Sequence, residues 1–518
     1  MRSNPQRRRI LGALGLTLSA TLLAGCASGG TGSTSGSGGD SATSPHAGTI
    51  TWARPAASNG WEGDKCVDTS IPLNPAVYDT LLRIEVPDGD GLAPGLAEEW
   101  EWDDESLSYI FTLRDNAMFS NGDPVTADDV VFSVDQWLSG EFSSSYYANV
   151  DHAEAVDDTT VHIVMKQVDT FLPALLTWCT SPIYPADFAG ETSEAFFEQP
   201  IGAGPYAVES WEDPMGTSER ITLVPNEHYY GWDGEPPLDT IVVETISDPN
   251  QRALEFQAGN VDILAAVDSA TATQMADDQL LAVKPNQIQS LLVNQAVPGL
   301  DNPDIRQAIS LALDRDALAD TVNDGSIAAV GALPVNVPGE IAPSSPNSYD
   351  PEEAKALVDG SGVSDLTFTY LYDASDYSAD ILAQAVQQQL GEVGITVEFE
   401  TTDGNTLIAR ESSGDYELSS AGASAISPTI FDPISWIAIQ YGWTGSTATT
   451  IQDEFLAGTS TTDEAEQQEH ALAVQDFITT DNGMIGLLNT AATYAKQTWV
   501  DGFVPLQYGT FYFDTLAG

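Results

Sequence analysis

The sequence predicts an α/β protein built from more than one lobe. Three observations lead there. At 518 residues the chain exceeds what one hydrophobic core serves, which implies two or three domains. Helix-period and strand-period segments alternate with short joins through its second half. A hydrophobic content of 42%, with 9% aromatics, supplies packed interiors rather than a disordered chain.

Residues 1–25 read as an export leader. Arg7-Arg8-Arg9 precede an apolar run from Ile10 to Ala24, too short for a comfortable membrane span. Leu23-Ala24-Gly25-Cys26 resembles the bacterial lipobox, which implies cleavage before Cys26 and acylation of its thiol. A plain secretory signal with an incidental cysteine is the alternative. Arg7-Arg8 leaves a twin-arginine route open beside the general one. Residues 26–47 are dominated by Gly, Ser, Thr and Ala, the composition of a flexible tether. No later stretch approaches 18 apolar residues.

The net charge is −60. Four of the 17 basic residues (Arg2, Arg7, Arg8, Arg9) lie in the leader, which leaves 13 against 77 acidic residues from Cys26 onward, a net −64. Such a surface repels nucleic acid and anionic headgroups. It reads as a solvating coat, with a funnel for cationic ligands as the second reading. Of the three cysteines, Cys26 belongs to the leader, so Cys66 and Cys179 form the one available pair in an exported chain.

The body opens on a short strand pattern, Gly48–Ala53, and an irregular loop, Ser58–Gly63. Leu107, Tyr109, Phe111 and Leu113 alternate with polar or smaller residues, so they form one apolar row of a strand. Asn121-Gly122-Asp123-Pro124 supplies a turn. Thr126 N-caps a helix with Asp128 and Asp129 in its first turn and Val130, Val134, Trp137 and Leu138 on one face. Thr160–Met165 is a further strand candidate, and strand-like runs at Ile221–Val224 and Ile241–Thr245 flank Asn226–Tyr230. Arg252–Ile263 reads as helix, Gly-containing turn and strand. Asn302-Pro303-Asp304 and Asp350-Pro351-Glu352 start two helices in the same way. A helix through Leu382, Val386 and Leu390 ends near Gly391 or Gly394 and feeds the strand Ile395-Val397-Phe399.

The literal residues add more. Leu107–Ser133 closely resembles the hallmark segment of the family 5 extracellular solute-binding proteins, the peptide/nickel-type binding components of ABC importers. Val77–Arg83, Pro94–Trp100 and Pro200-Ile201-Gly202-Ala203-Gly204-Pro205-Tyr206 resemble further family segments, the last with Ala203 where the family has Thr. The glycines of that last element are expected to permit backbone turns. The resemblance covers nearly the whole chain from Gly48. It implies a two-lobed periplasmic-binding-protein-like clamshell (type II, cluster C-like) with an extra subdomain inserted in lobe I. The implied segments are 48–76 (lobe I), 77–199 (inserted subdomain), 200–300 (lobe I), 301–487 (lobe II) and 488–518 (return to lobe I).

The resemblance also indicates where a ligand sits. Relatives carry W-x-A-D-Y-x-D-P in a second-lobe loop, whose first aspartate pairs with a ligand ammonium. The corresponding stretch here is Gly422–Pro433: Asp432-Pro433 retains the end of the pattern, but Thr429 stands where the ammonium-binding aspartate would be. A hydroxyl supplies a hydrogen bond and no charge. Trp61, Asn294, Tyr372, Ser424, Trp436 and Trp443 complete the expected ligand-binding set with Thr429 and Asp432; a place in the core or at the rim is the alternative for each of the four aromatics, and a structural hydrogen-bonding role the alternative for Asn294.

No enzyme constellation is present: there is no G-x-S-x-G, H-E-x-x-H or Walker-type loop, and Gly39-Asp40-Ser41 sits in low-complexity sequence. His46, His152, His162, His228 and His470 lack metal-ligand spacing. The expectation is therefore a non-enzymatic, monomeric binding protein without metal or cofactor. It would be held to the outer face of the cell membrane by lipid on Cys26 and would deliver an oligopeptide to the permease and ATPase of an ABC importer. An oligosaccharide or other polar solute is the alternative cargo, a signalling partner is an alternative use of the same clamshell, and a secreted hydrolase is a distant third.

Overall fold

The computed structural model describes residues 48–66, 70–86, 91–265, 267, 269–322, 325–373, 377–506 and 509–517. The leader, Cys26, the tether, Gly39–Ser41 and His46 lie outside the described residues.

Three main sheets organise the chain. The first has seven strands in the spatial order Leu280–Ala282, Thr493–Lys496, Ile263–Leu264, Thr49–Arg54, Thr240–Thr245, Arg220–Pro225 and Tyr206–Glu212. Its strands at Thr49–Arg54 and Thr240–Thr245 run parallel. Near-continuous apolar side chains such as Ile50, Trp52, Ile241 and Val243 are buried there. Trp52 meets Phe511 edge-on at 5.1 Å and Phe513 at 5.9 Å, so the C-terminal segment seals this lobe. Arg83 adds a bidentate pair to Asp514, with both bonds at 2.8 Å.

The second sheet has six strands in the order Ile327–Ala328, Met484–Thr490, Gln287–Val293, Leu418–Ser424, Thr367–Asp373 and Thr396–Thr402. Helices start where the capping residues predicted. Asn302 Oδ1 accepts from Asp304 N at 2.9 Å ahead of Pro303–Ala312, and Asp350 Oδ1 accepts from Glu353 N at 3.0 Å ahead of Pro351–Gly360. Ile305, Ile309, Val386, Leu390 and Ile395 are fully buried between these helices and the sheet. Burial of each such side chain is worth about 1.5–3 kcal/mol.

The third, antiparallel sheet orders Ala97–Asp103, Ser108–Leu113, Thr160–Met165 and Val150–Ala155. It lies in sequence between two strands of the first sheet and is therefore an insertion in the first lobe. Tyr109, Phe111 and Leu113 form the buried row. Leu107 does not join them: its φ is +51° and its side chain is exposed, because it closes the turn before the strand. The helix Ala127–Ser139 covers this sheet with Val130, Val134 and Trp137, and Asp129 Oδ2 accepts from Thr126 N at 2.7 Å at its start.

Two further expectations are corrected. Gln287–Val293, placed by sequence in the first lobe, belongs to the second sheet. The chain thus passes between lobes at 283–286, not near 301, and returns at 491–492. Val283 N donates to Ala492 O at 3.1 Å, so the two crossings are bonded to each other. Gly202 and Gly204 matter through close approach rather than turning: a Cβ on Gly202 would lie 1.9 Å from the Val77 carbonyl oxygen, and one on Gly204 2.6 Å from the Val77 carbonyl carbon.

Candidate functional site

The expected ligand-binding residues separate into two groups. Trp61 is 1% exposed and packs edge-on against Trp211 in the first-lobe core. Tyr372 is buried in the second-lobe core, and its hydroxyl donates to Asp380 at 2.8 Å. Asn294 is buried and spends its side chain locally, donating to the Gly414 and Tyr416 carbonyls and accepting from Ala296 N. All three are buried; Asn294 and Tyr372 spend their polar atoms on local partners, whereas the Trp61 indole N–H is buried without a hydrogen-bond partner.

Ser424, Thr429, Asp432 and Trp436 lie along one stretch, from the end of the strand Leu418–Ser424 into the helix Phe431–Gly442. Ser424 ends its strand opposite Gln287, the first strand residue after the 283–286 crossing. Asn286 Nδ2 donates to Ala425 O at 3.0 Å. The 425–432 loop is therefore held at the end of the second sheet that faces the other lobe. Asp432 builds the loop from inside: its Oδ2 accepts from Ile426 N at 2.6 Å, Ser427 N at 2.7 Å and Ser427 Oγ at 3.0 Å. Burial pushes the Asp432 carboxyl up to about 7 against the pull of those bonds. Thr429 is half-buried, and its hydroxyl accepts from Phe431 N at 3.3 Å. Trp436 donates its indole N–H to Gly422 O at 3.1 Å. Trp443 touches Trp436 at 5.8 Å but sits at the far end of the Phe431–Gly442 helix, where its carbonyl accepts from Tyr416 Oη.

An aromatic group of the inserted subdomain includes Tyr146, which packs against the same buried cluster as Ile430 and Phe431 of this loop. Tyr146 lies close enough to Asp432 to feel its charge: burial, then Asp432, pushes the phenol up to about 12. The Tyr146 ring packs edge-on against Trp178 at 5.0 Å and Phe142 at 5.3 Å. Two devices from the 60s loop hold that wall. Asp64 accepts from the backbone N–H groups of Glu141, Phe142 and Ser143 at 3.0, 2.9 and 2.8 Å. Its partial burial alone would raise the carboxyl, yet the Ser143, Phe142 and Glu141 bonds hold it below the usual range. Cys66 is disulfide-bonded to Cys179, the neighbour of Trp178. The sequence reading missed Phe142, Tyr146, Trp178 and Asp64. The one available signal was Trp178 beside a cysteine that pairs back to the 60s loop.

The lobes also touch directly. Thr170 N donates to Thr459 O at 2.8 Å, Gln467 Nε2 donates to Thr170 Oγ1 at 3.0 Å, and Phe171 meets Phe455 edge-on at 6.0 Å. Among the described residues no group of three or more His, Cys, Asp or Glu could hold a metal ion, and no helix is long and apolar enough to cross a membrane.

Comparison with known proteins agrees with this architecture. A probable D,D-dipeptide-binding periplasmic protein, DdpA of Escherichia coli, is 27% identical over 467 residues, covering 85% of this chain and 88% of that protein. Among solved structures, the ABC transporter substrate-binding protein CtaP of Listeria monocytogenes superposes with a TM-score of 0.80 at 24% identity, covering 91% of this chain and 99% of the other. The periplasmic binding protein DppA of Helicobacter pylori, in complex with the peptide STSA, gives 0.75 at 21% identity and covers 91% and 98%. These likenesses show the two-lobed binding-protein fold. The family model of bacterial extracellular solute-binding proteins, family 5, matches residues 91–445. The chain is a member of the bacterial extracellular solute-binding proteins of family 5.

Proposed function

We propose that this protein captures an oligopeptide between its two lobes and delivers it to the permease and ATPase complex of an ABC importer. It would do so as a monomer held to the outer face of the membrane by lipid on Cys26. The observation that supports the reading is a first-lobe aromatic cluster of Phe142, Tyr146 and Trp178, whose Tyr146 packs against the same buried cluster as Ile430 and Phe431 of the second-lobe loop that Asp432 braces. Rings grip apolar side chains and stack on planar amides, and the loop supplies polar groups at the rim. The names of relatives support a peptide cargo, since DdpA is described as D,D-dipeptide-binding and the Helicobacter protein holds STSA. Those relatives are named as a dipeptide-binding periplasmic protein and an ABC transporter substrate-binding protein, and binding followed by lobe closure needs no reacting group.

Thr429 favours a second reading. Its neutral hydroxyl, engaged within its own loop, leaves the peptide ammonium without the partner that the family pattern provides, and the same aromatic wall would stack on a sugar. Native mass spectrometry of gently purified protein separates the two: a heterogeneous ladder of peptide masses is expected, and a homogeneous sugar overturns the choice. Tyr146→Ala should abolish the co-purified species while leaving Tm within a few degrees, because the ring is only half-buried. Retention of the same ligand would move the site elsewhere. Globomycin-sensitive processing and incorporation of labelled palmitate test the anchor, with Cys26→Ala as the control.

A further inference from the structure

We propose that the cleft selects neutral or cationic ligands, because among the described residues every cationic side chain is already engaged and none is left to offer a ligand carboxylate. This deepens the peptide reading and relies on it only for the choice of probes. Thirteen Lys and Arg follow the leader, and all thirteen lie within the described residues.

Three pair with carboxylates: Arg54 and Arg306 are buried on Glu219 and Asp481, and Arg83 is half-buried on Asp514. Withdrawing Arg54 would strand the fully buried Glu219 carboxylate. Two more are buried and spent on backbone carbonyls. Arg252 donates to Ile246 O and Ser247 O, and Arg315 to Gly486 O, Ser310 O and Leu313 O. Arg114 donates to Gly95 O and stacks its guanidinium 4.9 Å from the Tyr230 ring centre.

The surface cations are paired as well. Lys65 meets Glu62, Arg220 meets Glu244, Lys355 meets Asp359, and Arg410 meets both Glu400 and Asp415. Lys166 and Lys496 donate to the carbonyls of Ala148 and Val500. Lys284 is engaged too, and it is the one cation of the thirteen carried by an interlobe crossing. Among the described histidines, His152, His162 and His470 each sit beside a carboxylate, and His228 lies against Gly122.

A carboxylate drawn from water into a closing cleft needs a charge-assisted partner or it stays in solvent. The net −64 of the chain after the leader adds a field that disfavours anions and favours cations on approach.

The test uses tetrapeptides built on one alanine-rich frame with two Lys, two Ala or two Glu at fixed positions, each with a free and an amidated C-terminus, titrated by calorimetry at low and physiological salt. We expect amidation to leave Kd unchanged within twofold or to tighten it, the Glu series to bind at least tenfold more weakly than the Lys series, and that gap to narrow with salt. The proposal is overturned if amidation weakens binding tenfold or the Glu series binds best; Lys284→Gln then shows whether Lys284 supplies the partner. If no peptide binds, the peptide reading fails by itself, and the charge rule is read on the ligand released from gently purified protein and on maltotriose against trigalacturonate. A neutral or cationic ligand upholds it and an anionic one overturns it.

Discussion

Thr170 and Thr459 join the inserted subdomain to the second lobe through a backbone hydrogen bond of 2.8 Å, although 289 residues separate them in the chain. Gln467 Nε2 reinforces the joint through Thr170 Oγ1, and Phe171 and Phe455 pack beside it. Contacts made only when the lobes meet shift the opening equilibrium by their own free energy and no more.

Gln467→Ala removes one such contact, worth about 0.5–1.5 kcal/mol. Ligand binding should weaken about two- to tenfold while thermal stability changes little, and small-angle scattering of the ligand-free protein should show a larger radius of gyration. An unchanged Kd and radius would mean that the joint is maintained in every lobe arrangement.

Asp64 orders the residues that lead into Tyr146. Asp64→Ala leaves three N–H groups of 141–143 without their carboxylate, at a cost of about 1–3 kcal/mol. The expected outcome is weaker ligand binding and altered tryptophan fluorescence from Trp178, with Asp64→Asn intermediate because one amide oxygen still accepts. Wild-type affinity in the alanine variant would show that the wall stands without this brace.

Cys66 and Cys179 close a loop spanning 113 positions. In the chain-entropy account such a closure stabilises by roughly 4–5 kcal/mol. Reductant should lower Tm markedly, and the oxidised, unfolded protein should show no reactive thiol from this pair. Two titratable thiols before reduction would contradict the bond.

Buried acids give the stability a pH dependence of definite sign. Burial pushes Asp432 and Glu411 each up to about 7, from 3.8 and 4.5, so the folded state holds protons that the unfolded chain has released. Stability should therefore fall as pH rises from about 4 to 7 and level off above, as far as these two groups contribute. Asp432→Asn and Glu411→Gln should each flatten that slope in a Tm series; an unaltered slope in the double variant would assign it to other groups.

The family segment around Leu107–Ser133, the capping residues Asn302 and Asp350, and the helix through Leu382–Leu390 were all legible locally. Propensity, caps and periodicity act over a few residues, and a chain carries them openly. Trp61, Asn294 and Tyr372 looked like ligand contacts for the same local reason, a large or polar side chain near a recognised segment. Their burial depends on partners more than a hundred positions away or on neighbouring strands, as with Trp61 on Trp211 and Asn294 on the 414–416 backbone.

By itself the sequence determined the α/β class, the family and the second-lobe loop of Thr429 and Asp432, because each is written in contiguous residues. What packs near that loop is set by joins between residues distant in the chain. Tyr146 stands nearly three hundred positions before Asp432, placed there by the Asp64 brace and the Cys66–Cys179 link, and each of those joins residues distant in sequence. Tertiary structure likewise decided that the cations among the described residues are all engaged, since whether a charge is free is a property of its surroundings and not of its residue type.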